Sequence, residues 1–296
     1  MPHDHHHHHH HFDANDSQKN ILVALTLNFS FAIIEFVGGL WTGSVAIISD
    51  SIHDFGDSLA LFFAYYFEKM AQKKPNDKYR YGYRRLSLLS ALLTGAFLLA
   101  GSVWVLSETI PRLFDPVQPN AEGMVGFALL GMGVNGYAAW KLSHGNTQNE
   151  KVVSWHLIED VLSWVGVFIG SLIMIFFDVP IIDPLLSLVF TCVILFGVFK
   201  SVRSTLELFL QAVPPGVDLD EIKGRLNAIA EVIAIHDVRI WSLDGESHVI
   251  TLHAVVRPEL SIDQLETIKA AIRAQLPKKM HATIEMEREG VHCPTC

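Results

Sequence analysis

Inside a long apolar segment of the chain lies the stretch Ile48-Ser49-Asp50-Ser51-Ile52-His53-Asp54-Phe55-Gly56-Asp57. A charged side chain near the middle of a bilayer costs about 2.5–3.5 kcal/mol on insertion scales, so it marks an ion path, a buried pair or a ligand site. On a helix, Asp50, His53 and Asp57 are three and seven positions apart and share one face. The stretch therefore predicts a polar site on one side of a membrane-spanning helix.

The composition of the whole chain is that of a membrane protein. Half of its 296 residues are hydrophobic and the mean hydropathy is +0.31, which is too apolar for an ordinary soluble protein. The formal net charge is -9 with histidine neutral, and the basic residues gather in one loop instead of on a groove-binding element, so no nucleic-acid partner is expected. The three cysteines do not form a disulfide framework.

Six apolar segments are each long enough to cross about 30 Å of hydrocarbon, so the lipid bilayer is an expected partner. They cover approximately residues 20–41, 45–68, 86–110, 121–142, 152–177 and 181–207. Positive charge distinguishes the two sides of the membrane. The connection between the second and third segments carries Lys69, Lys73, Lys74, Lys78, Arg80, Arg84 and Arg85. Loops on the opposite side carry only Arg112, and because positive loops stay in the cytoplasm, both termini are predicted to be cytoplasmic.

The pattern changes after residue 212, from apolar spans to a small mixed domain. Residues 218–230 have a helical pattern with Asp218 as the cap. Residues 234–243 and 247–256 alternate like strands around the turn signal Asp244-Gly245. A helix over 261–276, capped by Ser261, and a strand over 282–287 complete an α-β-β-α-β order of the ferredoxin type. The predicted fold is six transmembrane helices followed by a small cytoplasmic α+β domain.

The predicted organisation has four parts. They are a His-rich tail at 1–18, a transport domain at 19–211, a dimerisation and metal-sensing domain at 212–290, and a tail with Cys293-Pro-Thr-Cys296 at 291–296. The run His5 to His11 fits both an expression tag and a native metal-gathering tail, since imidazole binds zinc, nickel and copper.

A second His-x-x-x-Asp pair, His156 and Asp160, occurs in the fifth apolar segment. A single intramembrane pair fits a helix-packing hydrogen bond, but two pairs of equal spacing in two spans favour a metal site. Facing each other, His53, Asp57, His156 and Asp160 would offer two imidazoles and two carboxylates. Such a tetrahedral set without sulfur points first to Zn²⁺, with Cd²⁺, Co²⁺, Ni²⁺ and Fe²⁺ as alternatives.

Several motifs together resemble the cation diffusion facilitator family. They are Gly43-Ser44-Val45-Ala46-Ile47-Ile48-Ser49-Asp50-Ser51-Ile52-His53-x-x-x-Asp57, Asn28 with Glu35-x-x-Gly38-Gly39, Tyr81-Gly82, His156-x-x-x-Asp160, Asp183-Pro184 and His236-Asp237-x-x-x-Trp241-Ser242. The resemblance covers nearly the whole chain after the His-rich tail.

The resemblance implies a homodimeric exporter that moves Zn²⁺ or a related divalent ion out of the cytoplasm in exchange for protons. Its transport site would be the two His-x-x-x-Asp pairs, and histidine in both pairs resembles the zinc-preferring members. We expect a secondary transporter of the bacterial inner membrane, not an enzyme, with no organic cofactor.

Other polar residues have open roles. Asp50 is a candidate for orienting His53. Glu159 fits an outer contact of the site, a proton relay, or a position against another helix. Glu35 and Asn28 lie seven positions apart on the first span, where a helix-packing hydrogen bond and a role in the ion path are equally compatible with the sequence.

Relatives in the family bind regulatory metal ions in the C-terminal domain, through histidines and carboxylates. The matching positions of this chain lie on predicted strands and are His236, His253, Glu285 and Glu287. The resemblance therefore implies Zn²⁺ as a regulatory ion as well as the transported substrate. The alternative is that these are ordinary polar residues on half-exposed strands.

Two other classes of protein compete with the transporter. An intramembrane metal hydrolase would use Glu159 as the base beside a metal-bound water, but no His-Glu-x-x-His occurs and no ligand position is left open for water. A metal-sensing receptor would respond to zinc and transport nothing.

Overall fold

The structure is a computed structural model that describes residues 14–144, 148–277 and 280–290. The run His5 to His11 and the Cys293-x-x-Cys296 motif lie outside the described residues. By packing, the chain divides into two compact units, one within Met1–Phe62 and Thr94–Phe199 and the other within Phe63–Leu93 and Lys200–Cys296.

Six long helices form the first two-thirds of the chain, as the hydropathy pattern predicts. They are α1 (Ala14–Thr42), α2 (Val45–Ala71), α3 (Leu86–Phe114), α4 (Ala121–Ser143), α5 (Gln148–Phe177) and α6 (Ile182–Phe209). The shortest, α4, has 23 residues, and at 1.5 Å per residue it still exceeds the thickness of the hydrocarbon layer.

Three of the described helical segments are long and apolar enough to cross a membrane by length and composition alone, namely Leu86–Phe114, Val153–Phe177 and Ile182–Phe209. Helix α2 differs because Asp50, Asp54 and Asp57 lie within it. Its charges are turned inward, since Asp50 is 4% exposed and Asp54 1% exposed. An inward polar face is the usual place for ionisable groups in a spanning helix.

The interior of the helical region is closely packed around Trp164 of α5. This indole is completely buried, contacts Phe31 and lies against Gly131 of α4, where any larger residue would meet the ring. The outward faces carry large apolar side chains such as Trp41, Val103 and Phe196, which is the arrangement expected where lipid replaces water. Buried hydroxyl pairs cross between helices, Ser49 with Thr191 at 3.0 Å and Thr109 with Ser187 at 2.9 Å.

The beginning of α2 is held by a carboxylate from α6. Asp183 accepts hydrogen bonds from the Ser44 hydroxyl and from the backbone N–H groups of Val45 (2.9 Å) and Ala46 (3.2 Å). These N–H groups have no partner within their own helix, so a carboxylate is a favourable acceptor there. Arg112 of α3 closes the same corner by donating to the carbonyl of Gly43 at 2.6 Å.

The C-terminal domain has the predicted α-β-β-α-β order. Its elements are α7 (Leu219–Asn227), β1 (Val232–Ser242), β2 (His248–Val256), α8 (Ile262–Gln275) and β3 (Met280–Arg288). The sheet order is β1-β2-β3, with β1 antiparallel to β2 and β2 parallel to β3 across the α8 connection. One face of the sheet packs Ile250, Leu252 and Ala254 against the helices, which leaves the other face for polar groups.

Both predicted helix caps are present. Asp218 accepts from the N–H groups of Asp220 and Glu221, and Ser261 forms a reciprocal capping box with Gln264. Helix α7 ends at Asn227, three residues earlier than predicted, because the Asn227 side chain accepts from the N–H of Ile235 and the chain turns into β1.

Candidate metal centres

The first centre brings together His53 and Asp57 of α2 with His156 of α5. One ligand atom of each residue lies within 4.8 Å of the others. The Nε2 atom of His156 is 2.7 Å from Oδ2 of Asp57, and Nε2 of His53 is 3.6 Å from the same oxygen. The two imidazole rings meet edge to face with their centroids 5.8 Å apart. Two imidazoles and a carboxylate at this spacing can hold a divalent transition metal.

Helical periodicity places the members of each pair on one face, and packing turns the two faces toward each other. His53 and Asp57 are one turn apart on α2, and all three side chains are partly buried. The backbone carbonyl of Asp54 accepts a hydrogen bond from Nδ2 of Asn28 at 3.4 Å, which attaches this part of α2 to α1.

Asp160, the fourth predicted member, lies one turn beyond His156 and is 4% exposed. It is not among the three residues whose ligand atoms lie within 4.8 Å, although it interacts electrostatically with His156, His53 and Asp57. Its Oδ2 atom is buried and has no hydrogen-bond partner among the described residues. A buried carboxylate oxygen without a hydrogen-bond partner carries a desolvation cost. A cation bound at the centre would offset that cost, so this oxygen is available as a ligand.

The two predicted outer residues differ in their surroundings. Glu159 is 78% exposed at its side chain, with Oε2 3.9 Å from Nδ1 of His156. Asp50 is buried, but Nδ1 of His53 has no hydrogen-bond partner among the described residues, so an orienting role for Asp50 stays a prediction.

The interior beside the first centre is more acidic than the two motifs alone indicate. Glu35 of α1 is completely buried, and neither of its carboxylate oxygens has a hydrogen-bond partner in the described part of the chain. It interacts electrostatically with Asp50 and Asp160, and Asp54 is also a neighbour. The sequence places Glu35 on a spanning helix but does not show which helix it faces. Its seven-residue spacing from Asn28 is the signal that marks this face of α1.

The second centre lies on the polar face of the C-terminal sheet and joins His236, His253 and Glu287. The strand register sets His236 opposite His253, and one ligand atom of each of the three residues lies within 4.8 Å of the others. Nε2 of His236 is 3.0 Å from Glu287, and Nδ1 of His253 contacts the other oxygen of the same carboxylate. The hydrogen bond with His253, followed by that with His236, holds the pKa of Glu287 below its ordinary value.

Glu285, the other predicted carboxylate, is at the edge of this centre. Its Oε2 is 3.5 Å from Nε2 of His253, and its side chain is 66% exposed. A further carboxylate, Asp237, approaches the same Nε2 at 3.8 Å from the opposite strand. Asp237 has a positive φ of 45° at a break in the strand register between His236 and Arg239, and this bulge turns its side chain toward the histidines. In the sequence, this site could have been recognised from Asp237 next to the strand residue His236, because aspartate tolerates a positive φ.

An apolar helical bundle with nitrogen and oxygen ligands in its interior, followed by a small domain with a second ligand cluster, defines a membrane protein that handles metal cations. Residues 21–210 match the family model of the cation efflux transmembrane domain, and residues 214–289 match that of the cation efflux protein cytoplasmic domain. The chain belongs to the cation efflux family, and it is a membrane transporter with a cytoplasmic α+β domain.

Relatives of known name are similar over nearly their full length. The chain is 31% identical to the cadmium, cobalt and zinc/H⁺-K⁺ antiporter of Bacillus subtilis (strain 168), over 93% of this chain and 90% of that protein. It is 29% identical to the zinc transporter ZitB of Escherichia coli (strain K12), over 100% and 96%. It is 30% identical to the metal cation efflux system protein CzcD of Cupriavidus metallidurans, over 92% and 87%.

Proposed function

We propose that this protein exports Zn²⁺ from the cytoplasm in exchange for protons, through an intramembrane site made by His53, Asp57, His156 and Asp160. Cd²⁺ and Co²⁺ are further candidate substrates, since the name of the Bacillus subtilis relative includes both ions. The observation that carries the proposal is the meeting of two imidazoles and a carboxylate from α2 and α5 within 4.8 Å.

The chemistry of these groups couples metal to protons. A metal ligand must be deprotonated to bind, so metal binding expels protons and protonation expels metal. Histidine titrates near neutral pH, which lets a modest pH difference across the membrane drive the exchange. Asp160 completes the set in this proposal, because its buried Oδ2 has no other partner in the described structure.

The proposed topology identifies the cytoplasmic side of the membrane. Both termini and the basic connection after α2 lie in the cytoplasm by the positive-inside rule, and the membrane is the inner membrane of a bacterium, as for the bacterial relatives. The ion site then faces the two sides in turn as packed helices move around it.

The cytoplasmic domain has a separate role in the proposal. It joins two copies of the chain in a homodimer, and His236, His253 and Glu287, with Glu285 beside them, bind a regulatory Zn²⁺ ion. The spacing of the three ligand groups supports this role, as does the type of ligand atom.

A metal flux assay tests the proposal. The purified protein is reconstituted in sealed vesicles, and the rates for Zn²⁺, Cd²⁺, Co²⁺, Ni²⁺ and Mn²⁺ are measured with an imposed pH gradient. Zn²⁺ flux should respond to the gradient and be accompanied by counter-movement of protons. The variants Asp57→Ala and Asp160→Ala should abolish that flux, while Glu159→Gln, an exposed neighbour, should retain it.

Three results would contradict the proposal. Sealed vesicles without metal flux would favour a receptor that does not transport. A Zn²⁺ flux that does not depend on the pH gradient would rule out proton coupling. Undiminished flux in Asp57→Ala or Asp160→Ala would remove the site assignment, provided that the variant is still folded and dimeric.

A further inference from the structure

The connection between α2 and α3 folds against the turn between β1 and β2. Arg84 donates to the hydroxyl of Ser247 and lies 3.6 Å from the carboxylate of Asp244. The ring of Tyr81 meets that of His281 at 6.1 Å between centroids. Gly82 has a positive φ of 73°, a conformation that favours glycine, so the Tyr81-Gly82 motif shapes this contact.

A large open cavity lies under this contact, with a volume of about 1160 Å³. We name it the headgroup cavity, and its cationic and histidine residues are Lys73, Lys74, Arg80, Arg84, His248 and His281. The cavity includes Ala71 at the end of α2 and Ser87 in the first turn of α3. Because two spanning helices end and begin here, the cavity lies where the hydrocarbon layer meets water.

The headgroup cavity carries a surplus of positive charge. Its acidic residues are Asp244, which is paired with Arg84, and Glu246. Lys73 and Lys74 have no carboxylate within ion-pair distance in the described part of the chain. Two ammonium groups without a carboxylate partner at a membrane boundary attract an anionic lipid headgroup.

A narrower apolar groove adjoins the headgroup cavity, with a volume of about 560 Å³. We name it the acyl groove. Its apolar and aromatic residues include Leu86, Leu89, Phe209, Trp241 and Leu243, and Arg80, Arg84 and Arg85 also line it. The two spaces share a common wall of five residues, Arg80, Tyr81, Gly82, Arg84 and Leu243. The basic headgroup cavity next to the apolar acyl groove matches the anionic headgroup and the acyl chain of a phospholipid. The exposed rings of Tyr79 and Tyr81 are the side chains typical of this depth.

We propose that these two spaces bind one anionic phospholipid of the membrane, with its phosphate group against Lys73 and Lys74 and one acyl chain in the acyl groove. The bound lipid links the α2–α3 connection to the β1–β2 turn of the cytoplasmic domain. This site is independent of the metal centres, because none of their ligands lines either space.

The test measures lipid binding to the full chain by native mass spectrometry in detergent. Phosphatidylglycerol and phosphatidylcholine with the same acyl chains are titrated, and the double variant Lys73→Gln/Lys74→Gln is compared with Lys141→Gln/Lys151→Gln. The second pair lies at exposed positions around the α4–α5 connection and removes the same charge away from the cavity.

We expect the wild type to retain phosphatidylglycerol in preference to phosphatidylcholine. Loss of Lys73 and Lys74 should weaken the binding of phosphatidylglycerol about 10- to 30-fold, and loss of Lys141 and Lys151 should change it less than about twofold. Equal losses in the two double variants, or equal binding of the two lipids, would overturn the proposal. Displacement of the lipid by millimolar glycerol 3-phosphate would also overturn it, since a soluble phosphate would then be the ligand.

Discussion

The Nε2 atom of His156 lies 2.7 Å from Oδ2 of Asp57, and this contact joins the fifth spanning helix to the second. A metal ion would bind to the lone pairs of Nε2 of His156 and Oδ2 of Asp57. The same two atoms share the proton of this hydrogen bond. Metal and proton therefore compete for the same atoms.

Zinc binding should consequently weaken as the pH falls. Between pH 8 and pH 6 the apparent affinity should drop by up to about tenfold per pH unit for each proton that the metal displaces. Asp57→Asn should weaken zinc binding by more than about 100-fold, because it removes the carboxylate that contacts both histidines. The difference in isothermal titration calorimetry between His253→Ala and His253→Ala/Asp57→Ala reports on this centre, because the zinc-binding run His5 to His11 is the same in both chains. Glu159→Gln should keep the wild-type slope, and a pH-independent affinity would contradict the competition.

Substitution of Gly131 by alanine should destabilise the protein, whereas substitution of Gly133 should not. A Cβ atom at Gly131 would lie 2.4 Å from the ring of Trp164, which is completely buried and has little room to shift. A Cβ at Gly133 would meet no atom of the described residues within 4 Å. Gly131→Ala should lower the free energy of unfolding by about 1–3 kcal/mol through overpacking. Gly133→Ala should leave it unchanged or raise it by up to about 1 kcal/mol through helix propensity. Thermal unfolding in detergent distinguishes the two, and equal melting temperatures would contradict the packing argument.

Removing Asp183 should destabilise the protein because the start of α2 loses its acceptor. Asp183→Ala leaves the Ser44 hydroxyl and two backbone N–H groups without their partner, at a cost of about 1–3 kcal/mol. Asp115→Ala, at an exposed position, serves as the control in the same melting experiment. A loss of stability as large in Asp115→Ala would show that the hydrogen bonds of Asp183 are not the cause.

The cytoplasmic centre should bind zinc through His253. In an Asp57→Ala background, His253→Ala should remove one zinc ion per chain in equilibrium dialysis, since His253 contacts Glu287 and faces His236. The matched variant His281→Ala should keep that ion, because His281 is not part of this ligand cluster. Zinc retained in His253→Ala at the wild-type amount would exclude this centre.

Glu287 should make the metal-free domain more stable at neutral pH than in acid. Its hydrogen bonds lower the pKa of the carboxyl group in the folded state, so the stabilisation is present above the ordinary glutamate pKa of about 4.3. It is lost as the pH falls through the lower pKa of the folded state. With a chelator present, Glu287→Gln should melt below the wild type at pH 6, and the two melting curves should converge only once the pH has fallen below the lowered pKa of Glu287 in the folded state. A difference in melting temperature between the wild type and Glu287→Gln that stays constant at acidic pH would contradict the dependence of stability on the ionisation of Glu287.

Much of the architecture was predictable from the amino-acid sequence. Hydropathy located all six long helices, two-residue alternation located the strands, and Asp218 and Ser261 marked helix starts. These features are local, because helix and strand periodicities depend on residues a few positions apart. The same reason explains why His53 with Asp57, and His156 with Asp160, were predictable as pairs on one face.

Tertiary packing decided what these local features meet. It turned the α2 pair toward His156 and placed Asp160 beside the three-residue cluster, not within it. It also buried the Glu35 carboxylate with no hydrogen-bond partner among the described residues, and it placed Glu287, more than Glu285, between the two sheet histidines. Residues more than 30 positions apart come together only through helix packing and strand register, and neither is encoded in the spacing of a single motif.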